Sequence, residues 1–181
     1  VRLDFGGARP DWLPDALLTY VSQVDLGDAM RAKRPSEWFA SANMAIPRAV
    51  FAAAGGFATT LGRVGGGLSL LSNEDVDIVE RIAASGRAAI YAPGAAVTHK
   101  IDAARLTPEW FRRRAAWQAV SDFLSRPETT KKAVAGARTR LRLLAQARRA
   151  YPPGFFTPPR DANAVLMDTQ TAYYAALVML A

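Results

Sequence analysis

The chain has 181 residues, half of them apolar, which is enough to bury one core and points to a single domain with an appendage. Cysteine is absent, which excludes disulfides, thiolate metal sites and a cysteine nucleophile together. The formal net charge is +7, yet Lys131, Lys132, Arg138, Arg140, Arg142, Arg148 and Arg149 lie in one acid-free stretch and equal the whole excess, so the remainder is near neutral and no nucleic-acid face is expected on it.

The chain opens on Val1 with no charged segment leading into an apolar run, so no secretory signal is expected, and a piece of a longer cytoplasmic protein is. Val1 to Phe5 reads as a short strand, turned by Gly6-Gly7 and Pro10. Asp15 to Tyr20 reads as a short amphipathic helix carrying Leu17, Leu18 and Tyr20, and Asp25 to Pro35 as irregular. Ser41 to Ile46 reads as a strand that passes into a helix at Pro47, where a missing N–H costs nothing. Gly55-Gly56 ends that helix, since glycine turns left-handed without a Cβ penalty.

Thr59 to Leu71, with Gly62 and Gly65-Gly66-Gly67, lacks the spacing and the lysine of a phosphate-cradling loop. A flap beside a pocket and a plain surface connection are both open readings of it. The stretch that follows, Ser72-Asn73-Glu74-Asp75-Val76-Asp77, opens a helix whose apolar side is Val76, Val79, Ile82 and Ala83 and whose stop is Ser85-Gly86. Acids in a first turn are favoured by exposed N–H groups and the helix dipole, which accounts for one or two of them. Three acids after a glycine-rich loop suggest a site instead.

Ala88 to Tyr91 reads as a short buried strand, Pro93-Gly94 as its turn, and Ala95 to Lys100 as a second strand holding the only histidine, His99. Thr107-Pro108 starts a helix with a capping side chain and a first-turn proline. Thr129 to Ala150 is a basic helix with Val134, Ala137, Leu141, Leu144 and Ala145 on one face. Tyr151 to Pro159 is a proline-rich connector, and Ala162 to Ala181 a packing helix, interrupted at Asp168-Thr169-Gln170 and too short in apolar run to span a bilayer.

In order, Asn43-Met44-Ala45-Ile46-Pro47-Arg48, Gly55-Gly56-Phe57, Asn73-Glu74-Asp75-Val76-Asp77, Gly86, Tyr91-Ala92-Pro93 and Val97-Thr98-His99 resemble the C-terminal half of inverting family 2 glycosyltransferases of the GT-A fold. The resemblance runs roughly from Pro10 to Phe123, about two thirds of the chain. It implies an α/β fold: a partial GT-A-like domain over 1–126, a few short strands flanked by helices, then a helical basic extension over 127–181. It also implies transfer of a sugar from a nucleotide diphosphate sugar donor to a hydroxyl of a glycan or lipid-linked acceptor, with inversion.

By the same resemblance Asp75 is the general base, Glu74 positions the acceptor or the groups behind it, and His99 is a ligand of Mn²⁺ or Mg²⁺ on the donor diphosphate. For His99, a strand-end histidine bonded to a backbone carbonyl is the plainer alternative. Asn43 is expected either at the substrate pocket or pinning its strand. Arg112 and Arg114, in the triplet with Arg113, are expected at diphosphate or acceptor charge, against the ordinary reading of a solvated basic face.

The chain departs from that family in one respect. The family's Asp-X-Asp motif and nucleotide-binding βαβ region have no counterpart before Pro10, and Asp75-Val76-Asp77 is no substitute, because helical positions two apart diverge by about 200°. The expectation is an acceptor-side half of a longer enzyme, inactive by itself and able to pair with a second copy through an exposed strand edge. The basic helix fits an anionic membrane surface on the inner face, or packing with a solvated basic side. A different class of function is a non-catalytic basic module that binds a membrane or a partner.

Overall fold

The computed structural model describes residues 1–63, 69–147 and 161–180. Gly65-Gly66-Gly67 of the expected flap, Arg148 and Arg149, and the proline-rich connector lie outside the described residues. The chain is mixed α/β, with helices dominant. Its strands are β1 (Arg2–Asp4), β2 (Arg31–Ala32), β3 (Ile90–Tyr91) and β4 (Thr98–Lys100), and its α-helices are α1 (Arg48–Ala53), α2 (Glu74–Ala84), α3 (Pro108–Ser125), α4 (Pro127–Ala147) and α5 (Ala162–Leu180). β1 pairs parallel with β4, Leu3 opposite His99, and β2 pairs antiparallel with β3, Arg31 opposite Tyr91.

α3 is the spine. Thr107 caps it by accepting from the Trp110 N–H at 3.2 Å, and Pro108 sits where no N–H is needed. Phe111, Ala115 and Ala119, one turn apart, are wholly buried. The small side chains among them let α5 lie close, and α5 makes the most extensive helix contact that α3 has. Phe111 anchors a cluster with Leu13, Leu17, Leu18, Val21, Leu70, Ile101, Trp110 and Val165, so α5 shares the main core. Burying a ring of that size contributes roughly 1.5–3 kcal/mol.

Asp15–Val21 is a 3₁₀ helix that supplies Leu17, Leu18 and Val21 to this core and ends at Ser22 with φ 69. A second, smaller cluster lies under α2, where Ile78, Val79 and Ile82 meet Met44, Ile46, Val50 and Phe51. Ile78, which the helical pattern passed over in favour of Val76, is fully buried, while Val76 is half-buried.

Three local expectations are corrected. Ser41–Asn43 is a 3₁₀ turn and not a strand, since its N–H groups turn inward to Asp75 Oδ2 and to the Ala40 carbonyl and find no neighbouring strand. The buried strand expected from Ala88 shrinks to β3, whose Ile90 is 53% exposed. Asp168-Thr169-Gln170 does not interrupt α5. Asp168 is buried against Arg112 at 3.4 Å, and Thr169 returns its hydroxyl to the Val165 carbonyl at 2.8 Å. A helix interior accepts such residues when each polar atom is satisfied there.

No helix among the described residues is long and apolar enough to cross a membrane. The basic stretch is helical as expected, and its apolar face, through Thr130, Val134 and Ala137, packs on α3 and α5.

Candidate functional site

The acidic helix is held at its start by a polar seam with α3. The Ser72 N–H donates to Ser121 Oγ at 3.0 Å, and Asn73 Nδ2 donates to Asp122 Oδ1 at 2.9 Å and to Ser125 Oγ at 3.2 Å. Gln118 Nε2 reaches both Asn73 Oδ1 and Asp122 Oδ1 at 2.8 Å, and Tyr173 of α5 donates to Asp122 Oδ2 at 2.7 Å. Asn73 stands in the left-handed region at φ 77 and places no side-chain cap on α2, its amide being spent on α3 instead. The seam fixes where α2 begins, and so where its first two carboxylates point.

Asp75 is half-buried. Its Oδ1 accepts from the Val76 N–H at 2.9 Å and its Oδ2 from the Ser41 N–H at 3.1 Å. Asp77 serves another purpose, accepting from Arg81 Nε at 3.0 Å and Nη2 at 2.6 Å. Arg81 also reaches the Ala54 and Gly56 carbonyls, tying α2 to the turn after α1, where Gly55 and Gly56 have φ 80 and 71. The two aspartates reach different partners, as their helical spacing requires.

Glu74 and Asp75 line a cavity of about 440 Å³ whose walls include Tyr20, Arg63, Arg105, Arg114 and Gln118. Arg114 is only 7% exposed, and its Nη2 donates to Ser72 Oγ at 3.0 Å and Gln118 Oε1 at 2.8 Å. Its Nε and Nη1 are buried without a partner, and so is Glu74 Oε2. The guanidinium lies 5.2 Å over the Tyr20 ring. Burial lowers the Arg114 pKa to about 10, and burial pushes Tyr20 up to about 12 against the pull of Arg114.

The Glu74 pKa is raised, chiefly by burial and further by Asp75, with its own backbone N–H and then Arg63 and Arg114 opposing. Its carboxyl group lies against Gly62, where a Cβ would meet Glu74 Cδ at 3.0 Å and φ is 79, so only glycine fits there. Two adjacent carboxyls thus sit in unlike environments, one buried without a hydrogen bond to Oε2 and one held by backbone N–H groups.

The other expected site residues lie elsewhere. Arg112, two positions from Arg114 on α3, faces away from the cavity toward Asp168, and Arg113 is exposed. Asn43 Nδ2 donates to the Ala95 carbonyl at 2.5 Å and lines a larger cleft of about 890 Å³ bordered by Leu3 of β1 and Tyr91 of β3, not the cavity of Asp75. His99 lines neither cavity. Its Nδ1 is 3.1 Å from the Val21 carbonyl, the plainer of its two expected settings.

A carbonyl can only accept, so in that contact Nδ1 is the donor. Among the described residues no cluster of three or more His, Asp or Glu side chains is close enough to hold an ion. His99, the ligand expected from the sequence, lies outside the cavity that Asp75 lines.

Arg63, Arg105 and Tyr20 were not singled out by sequence, because no local spacing links them to the acidic helix. Gln118 had a signal. Arg114, Gln118 and Asp122 recur every fourth residue, a polar ridge on an otherwise apolar helix face. Comparison with family models, with characterised proteins and with solved structures finds no match to this chain.

Proposed function

We propose that this chain is the acceptor-side half of an inverting sugar transferase, with Asp75 as the general base and the nucleotide-binding lobe lying outside it. One observation carries the reading. A half-buried Asp75 borders a cavity that Arg114 also lines, with Nε and Nη1 of that guanidinium buried and unpartnered and Arg63 and Arg105 on the same walls. Buried donors of this kind are costly unless a ligand meets them, and a planar guanidinium matches phosphate or carboxylate oxygens.

In the proposed reaction the acceptor hydroxyl sits at Asp75. As its oxygen bonds the anomeric carbon of the donor, its proton passes to the Asp75 carboxylate, and the bond to the nucleoside diphosphate breaks on the far side of that carbon. Inversion follows from that single displacement. The Ser41 and Val76 N–H groups keep the carboxylate aimed while it works. Arg114 holds negative charge on the leaving diphosphate or on the acceptor, and Glu74, whose pKa burial raises, positions the acceptor beside it.

Mn²⁺ or Mg²⁺ is the cofactor that this reading takes, and His99 would be the ligand this chain offers, outside the Asp75 cavity. Such an ion would supply positive charge to a diphosphate. The cleft of about 890 Å³ bordered by Leu3 and Tyr91, with Asn43 on its wall, is the natural seat of the nucleotide-binding lobe.

Within the complete enzyme, Asp75→Asn is expected to retain donor binding and lower turnover by about a hundredfold to ten-thousandfold. Undiminished turnover removes Asp75 from the mechanism. With the 181-residue chain alone, calorimetric titration with pyrophosphate is expected to give binding that Arg114→Gln abolishes. Equal binding by both chains would take the anion away from this cavity.

A further inference from the structure

α4 turns its apolar side inward through Thr130, Val134 and Ala137, and what it leaves outside is both cationic and unpaired. Lys131 is matched by Glu128 at 3.1 Å, the only acid of the helix. Lys132, Arg138, Arg140 and Arg142 make no ion pair among the described residues, and all four are exposed. At about 100° per residue, Arg138 and Arg142 fall on one flank of the outward face and Arg140 on the other, with Lys132 between them.

Beyond Lys132 the middle of that face is uncharged. Ala135, Gly136, Thr139 and Leu143 occupy it, all exposed, with Leu143 at 52%. Thr139 returns its hydroxyl to the Ala135 carbonyl at 3.2 Å, which removes its demand for water. The result is a shallow apolar strip rimmed by long cations whose stems can lie along it while their heads reach outward.

We propose that this face of α4 docks the protein on an anionic lipid bilayer, with Leu143 entering the headgroup boundary and Arg138, Arg140, Arg142 and Lys132 meeting phosphate groups. Charge complementarity argues for the bilayer. The strip argues against nucleic acid, because it places a leucine and no aromatic ring where bases would stack. The inference does not rest on the transferase reading, since α4 contributes no residue to the Asp75 cavity.

The test is co-sedimentation of the 181-residue chain with vesicles of phosphatidylcholine alone or mixed with phosphatidylglycerol. Retention is expected only on the mixed vesicles, weakening as salt shortens the screening length below about 10 Å. Arg138→Gln, Arg140→Gln and Arg142→Gln together should weaken it about a hundredfold, at roughly fivefold per cation. Leu143→Ser should weaken it less and leave the salt dependence unchanged. Should the triple variant fail to fold by circular dichroism, Lys132→Gln with Arg142→Gln should give about a twenty-five-fold loss. Equal retention on neutral vesicles, no retention at low salt, a variant that binds as the parent does, or binding to duplex DNA in place of vesicles would each overturn the proposal.

Discussion

Along α3 the chain closes on itself, whereas around its strands it does not. On the helical side Phe111 is wholly enclosed, Arg112 meets Asp168 across the α3–α5 contact, and Tyr173 and Gln118 converge on Asp122. On the strand side β1 and β3, each from a pair of two- or three-residue strands, border a cleft of about 890 Å³, with Ile90 53% and Val97 36% exposed. A parallel pair as short as β1 with β4 gains little by itself, and parallel sheets are ordinarily covered on both faces. The helical side has the makings of an independent folding unit. The strand side gains most from whatever lobe the proposed function places in the cleft.

The sharpest test of that contrast is Phe111→Ala, expected to cost about 3–5 kcal/mol in denaturant unfolding of the isolated chain. A loss below about 1 kcal/mol would mean that the helical side is no more closed than the strand side. Next comes Asp168→Ala, which removes a buried carboxylate 3.4 Å from Arg112 and is expected to cost about 1–3 kcal/mol. Replacing both partners by apolar residues, Arg112→Met with Asp168→Leu, should recover most of that loss, which separates a broken pair from a broken helix contact.

A smaller effect is expected at the cavity, and it depends on pH. Because the folded chain holds Glu74 above its unfolded value, the stability linked to this group is complete below the ordinary carboxyl range and is lost as pH rises through the raised value. Glu74→Gln should therefore match the parent protein in acid and become the more stable of the two as pH rises, read from unfolding midpoints across pH 3–8. A constant difference across that range would show that folding does not raise the Glu74 pKa. The smallest effect is predicted for Ile90→Thr, below about 0.5 kcal/mol in the isolated chain, because the side chain is already half in water. A larger cost would mean that the strand side is closed after all.

Most of the local structure could be read from the residues. The α2 start at the acidic stretch, the Thr107 cap, the left-handed turn at Gly55-Gly56 and the inward stripe of α4 all follow from interactions within a few residues. The polar content of α3 and α5 was harder to interpret. Asp168 looked like an interruption because its partner, Arg112, is 56 residues away, and the arginine triplet looked like one face because no local rule says which of its members meets the core.

The acidic stretch, the cationic helix and the lack of cysteine were settled by the order of residues alone, because side-chain charge, helical period and thiol chemistry are properties of neighbours. Only the fold decided that Arg114 joins Glu74 and Asp75 while Arg112 and Asn43 do not, and that the His99 ring turns toward Val21. Each of those outcomes depends on which distant segment shares a residue's burial, and spacing along the chain carries no measure of that.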